Sequence, residues 1–184
     1  MTDLPLTTSR LMLRDFEEDD LPSVRAWRAD SEVARFMDFD PETLEQSRDW
    51  LNAAIFHNAK RPRVAYNFAI VHRETRTTIG WIGIGPSSRY PESGEFGVGY
   101  AVSSRFWGAG YATEALRAVL GLAFDALRAR RVSAWCFVDN VASVRVMEKS
   151  GMRFERRYSL IEPKSGAEAE CVEYAVRAQT WSAL

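Results

Sequence analysis

The chain has 184 residues and a formal net charge of −1, enough length for one domain with a real hydrophobic core. A near-neutral charge argues against nucleic acid as the main partner, because phosphate contacts need a basic face. Cys136 and Cys171 have no metal-type ligands near them in sequence, so we expect no disulfide framework, no metal and a reducing compartment. With no signal-like start and no long apolar run, the sequence predicts a cytoplasmic protein without a membrane partner.

The chain opens with a predicted strand and a predicted helix. Leu11–Arg14 is a short apolar run typical of a strand. Asp19 or Asp20 can then cap a helix that has Pro22 in its first turn. The apolar face of that helix consists of Leu21, Val24 and Trp27.

A second helix is predicted after Asp40, which can cap it with Pro41 at the first helical position. Its apolar stripe consists of Leu44, Leu51 and Ile55. Residues 57–62 are predicted to form a loop.

Two strands, Asn67–Val71 and Thr78–Ile84, are predicted to form a hairpin. The second strand region carries three glycines, Gly80, Gly83 and Gly85. We expect these glycines to mark close packing or bulges. A phosphate loop is the alternative, but no lysine follows at the required spacing. Residues 86–93 are predicted to form a polar loop.

The second half predicts a strand at Phe96–Val102, then a helix that ends near Leu127 with Arg130 and Arg131 at its negative end. Val132–Val138 is apolar on both faces, so Trp135 within it is expected to be core. The later elements are a helix at 141–150 capped by Asn140 and two strands at 152–154 and 171–176. The pattern predicts one strand-rich α+β domain with a mixed sheet.

The turn from the Phe96 strand into its helix contains Gly108 and Gly110. Glycine there allows a positive φ and lets a ligand approach the backbone. The first N–H groups of a helix have no internal partner and lie at the positive end of its dipole. The turn therefore predicts an anion site suited to phosphate, with a purely structural tight turn as the alternative.

Three motifs carry a resemblance to a known family: Arg105-x-x-Gly108-x-Gly110, Asn140-x-x-Ser143 followed by Glu148-Lys149-Ser150-Gly151, and the opening Arg10-Leu11-Met12-Leu13-Arg14. Together they resemble the GNAT acetyltransferase superfamily, in its RimJ/RimL-type branch, from about Thr8 to Val176. The resemblance implies a GNAT-like, mostly antiparallel central sheet flanked by helices. It also implies that two strands splay around an acetyl-CoA cleft.

The resemblance implies acetyl-CoA as donor, with the diphosphate on the glycine turn and the pantetheine arm beside the Phe96 strand near Ala101 and Val102. The implied coenzyme-binding residues are Tyr100, Ala101, Val102, Arg105, Trp107, Gly108, Ala109, Gly110, Tyr111, Ala112, Asn140 and Ser143.

Two residues are candidates for the chemistry. Glu95, at the head of the Phe96 strand, is the candidate base, and its alternative is a solvated strand-end charge. Many family members carry a tyrosine seven residues after the Asn, where it can protonate the leaving thiolate. Here that residue is Met147, which shifts attention to Ser143. The alternative for Ser143 is a first-turn helix residue satisfied by the backbone near Asn140.

The resemblance favours a protein N-terminal α-amine as acceptor. An α-amine has a pKa of about 8 and a lysine or polyamine amine has one of about 10.4. A larger fraction of an α-amine is therefore already neutral near pH 7, and a weaker base is enough to deprotonate the rest. A small amine such as a polyamine, an amino acid or an aminoglycoside is the nearest alternative. A non-catalytic acyl-CoA sensor and a nucleotide-binding module are further alternatives, and the chain is expected to be a monomer or a homodimer.

Overall fold

One eight-stranded sheet runs through the residues that a computed structural model describes, 4–87 and 93–181. The strands are β1 (Leu6–Thr7), β2 (Leu11–Asp15), β3 (Tyr66–His72), β4 (Thr77–Pro86), β5 (Glu95–Val102), β6 (Arg131–Phe137), β7 (Arg153–Ile161) and β8 (Glu168–Arg177). The helices are α1 (Leu21–Arg28), α2 (Ser31–Ala34), α3 (Leu44–Ala59), α4 (Tyr111–Gly121), continued by a π-helical turn at Leu122–Ala126, and α5 (Val141–Lys149).

The strand order is β1-β2-β3-β4-β5-β6-β8-β7, and each neighbouring pair is antiparallel except β5 and β6. The parallel pairing of β5 with β6 begins at Glu95↔Arg131 and stops after Gly97↔Ser133. Beyond that point the two strands diverge, which leaves residues 98–102 of β5 facing an opening. The predicted α+β fold with splayed central strands is therefore confirmed.

Helices cover both faces of the sheet because alternate strand residues point to opposite sides. On one face α4 and α5 bury Leu116, Leu120 and Met147 against even-numbered β5 residues such as Val98. On the other face α1 and α3 bury Trp27, Leu51 and neighbouring aromatic rings against Ala69 and Ala101. Strand β5 thus contributes side chains to two separate layers, and any opening beside it connects both faces.

The helix starts differ in detail from the sequence prediction. Asp20 precedes α1 as predicted, but its carboxylate makes no cap bond and instead accepts from Arg14 and Thr78. Helix α3 begins after Thr43 rather than at Pro41, because Thr43 and Gln46 form a reciprocal capping box. The prediction of a cap at Asp40 is wrong.

Helix α3 also continues to Ala59, so the predicted loop from residue 57 is too early. Asn58 explains the extension, because its side-chain amide donates to Asn67 O at 2.7 Å and its carbonyl accepts from Asn67 N at 3.0 Å. These bonds fix the end of α3 to β3.

Two predictions for the second half also need correction. Arg131 does not close the helix before it but begins β6, where its side chain is buried among carboxylates. Trp135 is 50% exposed rather than core, because its face of β6 borders the opening.

The last two strands are both longer than predicted. Most of the predicted polar loop, residues 88–92, lies outside the described residues.

The glycines of β4 serve close packing. A Cβ on Gly80 would lie 2.2 Å from Ala101 O, so only glycine allows β4 and β5 to pair there. A register shift between Ile70 and Val71 on the neighbouring strand accompanies it. None of the helices in the described parts of the chain is long and apolar enough to span a membrane.

Candidate active site

The turn before α4 presents bare backbone. Gly108 and Gly110 have φ of +78° and +83°, and a Cβ on Gly108 would meet nothing within 4 Å. The helix's own ladder starts with Glu114 N donating to Gly110 O at 3.1 Å. In the described parts of the chain, none of the N–H groups from Gly108 to Ala112 donates to a protein acceptor. These donors and the positive end of α4 form an anion site.

The segment before β2 holds this turn in place. Glu114 accepts from Thr8, Ser9 and both the backbone and the side chain of Arg10. Burial alone would raise the pKa of Glu114, but these bonds outweigh it and lower the pKa to about 2. The Arg10 guanidinium also donates to Ala109 O at 2.9 Å and lies over the Tyr111 ring. The opening motif of the chain therefore fixes the glycine turn.

A cleft of about 410 Å³, the helix-side cleft, extends from the glycine turn along β5 to α5. Of the residues predicted to bind the coenzyme, it is lined by Tyr100, Ala101, Val102, Trp107, Gly108, Gly110, Tyr111, Ala112, Asn140 and Ser143. Arg105 and Ala109 do not line it, and the role predicted for Arg105 stays a prediction.

Sequence reasoning missed several lining residues. Arg145 and Lys149 of α5 line the cleft and bring positive charge to it. Ala142, Arg145 and Lys149 follow one another at intervals of three and four residues, which could have indicated a shared helix face. Phe36 and Met37, which follow α2, close the other side, and no local pattern singles them out.

Ser143 lies at the inner end of this cleft. Its N–H donates to Asn140 Oδ1 at 3.0 Å, so Asn140 caps α5 as predicted. Its hydroxyl lies 2.8 Å from the Tyr100 hydroxyl. Burial raises the pKa of the Tyr100 phenol above its ordinary value, so the phenol stays protonated and can donate. Cys136 lies beside the pair, and burial raises the pKa of its thiol to about 11.

A second cleft of about 810 Å³, the sheet-side cleft, lies on the opposite face of β5. The odd-numbered residues of β4, β5 and β6, among them Trp81, Gly97, Gly99, Ser133 and Trp135, form its floor. Glu95 lies here and not in the helix-side cleft. Its Oε2 accepts from Arg131 Nη1 at 3.0 Å.

Arg131 is the centre of a charged cluster in this cleft. Its guanidinium is buried and donates to Glu95, Glu155 and Glu173. Hydrogen bonds from Arg131 lower the pKa of Glu155. For Glu173, burial would raise the pKa, but bonds from Arg131 and Arg156 outweigh it and lower the pKa. Glu155 and Glu173 therefore stay ionised at neutral pH.

The two clefts lie back to back where β5 and β6 separate. An anion site with a long channel on one face and a roomy polar cleft on the other define an enzyme that brings a phosphate-bearing substrate to a second substrate. Acyl-CoA transferases have this requirement, because coenzyme A carries a diphosphate between its pantetheine arm and its adenosine.

Comparison with known proteins names the class. The model of the acetyltransferase (GNAT) domain matches residues 10–153, so the chain belongs to the GNAT acetyltransferase family. It is 30% identical over 179 residues to YnaD of Bacillus subtilis, an uncharacterized N-acetyltransferase, covering 96% of this chain and 99% of that protein.

Solved structures of other acetyltransferases have the same fold as this chain. A GNAT-family acetyltransferase from Bacillus anthracis has a TM-score of 0.85 at 26% identity and covers 96% of this chain and 99% of its own. The microcin C7 self-immunity acetyltransferase MccE, solved with acetyl-CoA and AMP, has a TM-score of 0.79 at 15% identity, covering 95% and 99%. The latter shares the fold alone. The chain is thus an acetyl-CoA-dependent N-acetyltransferase of the GNAT family.

Proposed function

We propose that this enzyme moves the acetyl group of acetyl-CoA to the α-amine of a polypeptide N-terminus, with Glu95 as base and Ser143 beside the leaving sulfur. One observation carries the proposal: Glu95 lines the sheet-side cleft and Ser143 the helix-side cleft, on opposite sides of one strand separation. The acceptor and the thioester can therefore approach each other from opposite faces.

The helix-side cleft fits the coenzyme. The unpaired N–H groups from Gly108 to Ala112 suit a diphosphate, and charged hydrogen bonds contribute roughly 1.5–3 kcal/mol each. Arg145 and Lys149 can hold further phosphate charge. The open backbone of β5 beyond Gly97 offers hydrogen-bonding groups to the pantetheine arm. The Val102 carbonyl already accepts from Trp107 Nε1 at 2.7 Å, and the Ala101 carbonyl faces Gly80 of β4, so neither carbonyl is open to the arm.

The amine must lose a proton as its nitrogen bonds to the thioester carbonyl carbon. Glu95 receives that proton, directly or through a water molecule. The Arg131 guanidinium bonds to Glu95 at 3.0 Å and to two other carboxylates, so Arg131 fixes the position of Glu95 in the cleft.

The carbon–sulfur bond breaks and the electron pair goes to sulfur. Ser143 donates its hydroxyl proton in a hydrogen bond to that sulfur. The Tyr100 phenol donates to the Ser143 carbonyl at 3.2 Å and lies 2.8 Å from the Ser143 hydroxyl, so it can turn its proton to that hydroxyl as the thiolate forms. Tyr100 thus supplies from β5 the phenol that Met147 does not supply from α5. Protonated Cys136, with its raised pKa, does not compete as a nucleophile.

The first test is turnover. The protein is incubated with acetyl-CoA and one of four acceptors, and thiol release is followed. The acceptors are short peptides with free N-termini, lysine-containing peptides with blocked N-termini, spermidine, and kanamycin. The proposal expects release with free N-termini and none with blocked ones. Preferred turnover of lysine, spermidine or kanamycin would contradict the α-amine assignment. Binding of acetyl-CoA without any turnover would mark a sensor instead.

The second test is Glu95→Gln, with Glu155→Gln as its matched control, because both carboxylates contact Arg131. We expect Glu95→Gln to lower kcat by about 10²-fold, most at low pH where fewer amines are neutral, with unchanged coenzyme affinity. Glu155→Gln should lower kcat less than tenfold. Equal losses, or an unchanged pH profile, would reject Glu95 as the base.

A further inference from the structure

The glutamates lining the sheet-side cleft are already paired. Glu95 and Glu155 bond to Arg131, and Glu155 also bonds to Arg177. Glu173 accepts from Arg131 at one oxygen and from Arg156 at the other. Among the described residues, the lining therefore holds as many arginines as glutamates, bonded in one network. In that part of the lining a polycationic acceptor would find no unpaired carboxylate and would meet the half-exposed guanidinium groups of Arg156 and Arg177.

An exposed tryptophan lies at the point where the strands separate. Trp135 is two residues past Ser133, the last β6 residue that pairs with β5. Half of its surface is open, and it lines the cleft beside its cross-strand partner Glu173. A large ring left open inside a cleft is a ready contact surface for an apolar group.

The floor opposite Trp135 is bare. A Cβ on Gly97 would meet nothing within 4 Å, which leaves space next to Glu95. Trp81 lies over Gly83 and Gly99, where added Cβ atoms would come within 2.5 and 3.2 Å of its ring. Its Nε1 donates to Asn67 Oδ1 at 3.0 Å, which fixes the indole. The space for an acceptor is therefore bordered by two indoles and a glycine floor, with the candidate base at one end.

From this arrangement we infer that the sheet-side cleft selects an α-amine on a residue with an aromatic side chain, which stacks on Trp135. The inference rests on the proposed function and deepens it. Stacking adds to the burial of both rings, and the neutral charge network accepts an uncharged side chain without cost. The amine then lies over Gly97, within the part of the cleft that Glu95 lines.

The test compares matched peptides that differ only in the first residue: Phe, Leu, Ala or Lys. Peptides beginning with Phe should show kcat/KM about tenfold above those beginning with Ala, and those beginning with Lys should be the poorest. Trp135→Ala should lower kcat/KM for the Phe peptide about tenfold, mainly through KM, and change the Ala peptide less than threefold. Phe56→Ala is the control, because Phe56 is 64% exposed on α3 and lines neither cleft.

A third variant, Gly97→Leu, places a side chain on the floor, at a position where a Cβ meets nothing within 4 Å. It should abolish transfer to every peptide while acetyl-CoA affinity, measured by calorimetry, stays unchanged. Equal kcat/KM for the Phe and Ala peptides, a preference for Lys, or an unchanged ratio in Trp135→Ala would overturn the aromatic selection alone. Failure of the unmodified enzyme to acetylate any peptide, with acetyl-CoA bound, would overturn the proposed function and this inference with it.

Discussion

The helix-side and sheet-side clefts share strand β5 but are made from different parts of the chain. The helix-side cleft takes its main anion-binding groups from the backbone of one short turn, 108–112, with Arg145 and Lys149 beside it. The sheet-side cleft takes its charged groups from side chains on four strands, β5, β6, β7 and β8. One site depends on the conformation of a few glycines, and the other on strand register and ion pairing.

This difference matters for specificity. A backbone site recognises phosphate by geometry that any family member with the same turn can repeat. A side-chain site changes with each substitution on its strands. We therefore expect the donor to be common to the family and the acceptor to be particular to this chain.

The largest effect is expected in the backbone site. Gly110→Trp places an indole in the anion site at a residue with φ of +83°, so acetyl-CoA affinity measured by calorimetry should fall at least 10²-fold. The control is Gly166→Trp, since Gly166 also has positive φ (+69°) and open space around it but lies in the β7–β8 turn. Both variants should stay folded. Normal coenzyme affinity in Gly110→Trp would defeat the assignment.

The same difference explains how far the sequence could be interpreted. The glycine turn, the Asn140 cap and the strand before the turn are local patterns, and the structure places them as predicted. The charged cluster could not be foreseen, because the carboxylate partners of Arg131 come from residues 95, 155 and 173. Because Arg131 follows Arg130 near the predicted end of a helix, its sequence position suggested an interaction with the helix dipole. Its tertiary contacts with the three carboxylates override that local role.

Trp135 shows a second limit. An apolar run such as Val132–Val138 predicts a strand buried on both faces, and β6 is indeed central. One face of β6 is open only because β6 separates from β5. That separation depends on the residue at which the β5–β6 pairing stops, which the local sequence does not indicate. The α3 start is a smaller case: Asp40 and Thr43 are both good caps, and the reciprocal bond with Gln46 favours Thr43.

Breaking the side-chain site should cost stability rather than coenzyme affinity. Arg131→Met removes a shared partner from buried Glu173 and partly exposed Glu155, which keep Arg156 and Arg177, and we expect a loss of about 2 kcal/mol at pH 7. Glu155 and Glu173 have lowered pKa values, so the stability they contribute is present above their ordinary pKa of 4.5. It is lost as the pH falls through their lowered values, and the deficit of the variant should shrink below pH 4.

Urea unfolding at pH 7 and at pH 3 measures this deficit. Arg157→Met is the control, because its pairing with Glu170 is exposed and spans 4.0 Å, and it should change stability by less than about 0.5 kcal/mol. If both variants lose the same stability, or if the Arg131→Met deficit grows at low pH, the cluster does not depend on charge pairing.

The smallest effect connects the backbone site to the start of the chain. Glu114→Gln weakens the bonds from Thr8, Ser9 and Arg10, and we expect a loss of about 1–2 kcal/mol at pH 7. The folded pKa of about 2 lies below the ordinary 4.5, so this stability is full above 4.5 and disappears as the pH falls toward 2.

Glu45→Gln separates this bonding from the helix dipole, because Glu45 is also an acid in the first turn of a helix. If the dipole were the main contribution of Glu114, both variants would lose a few tenths of a kcal/mol. If the hydrogen bonds are the main contribution, Glu114→Gln should lose more stability than Glu45→Gln. In that case acetyl-CoA affinity should also fall a few-fold, since Arg10 holds Ala109 O only while Glu114 holds Arg10. Unchanged affinity in a destabilised Glu114→Gln would mean that the glycine turn keeps its shape without this support.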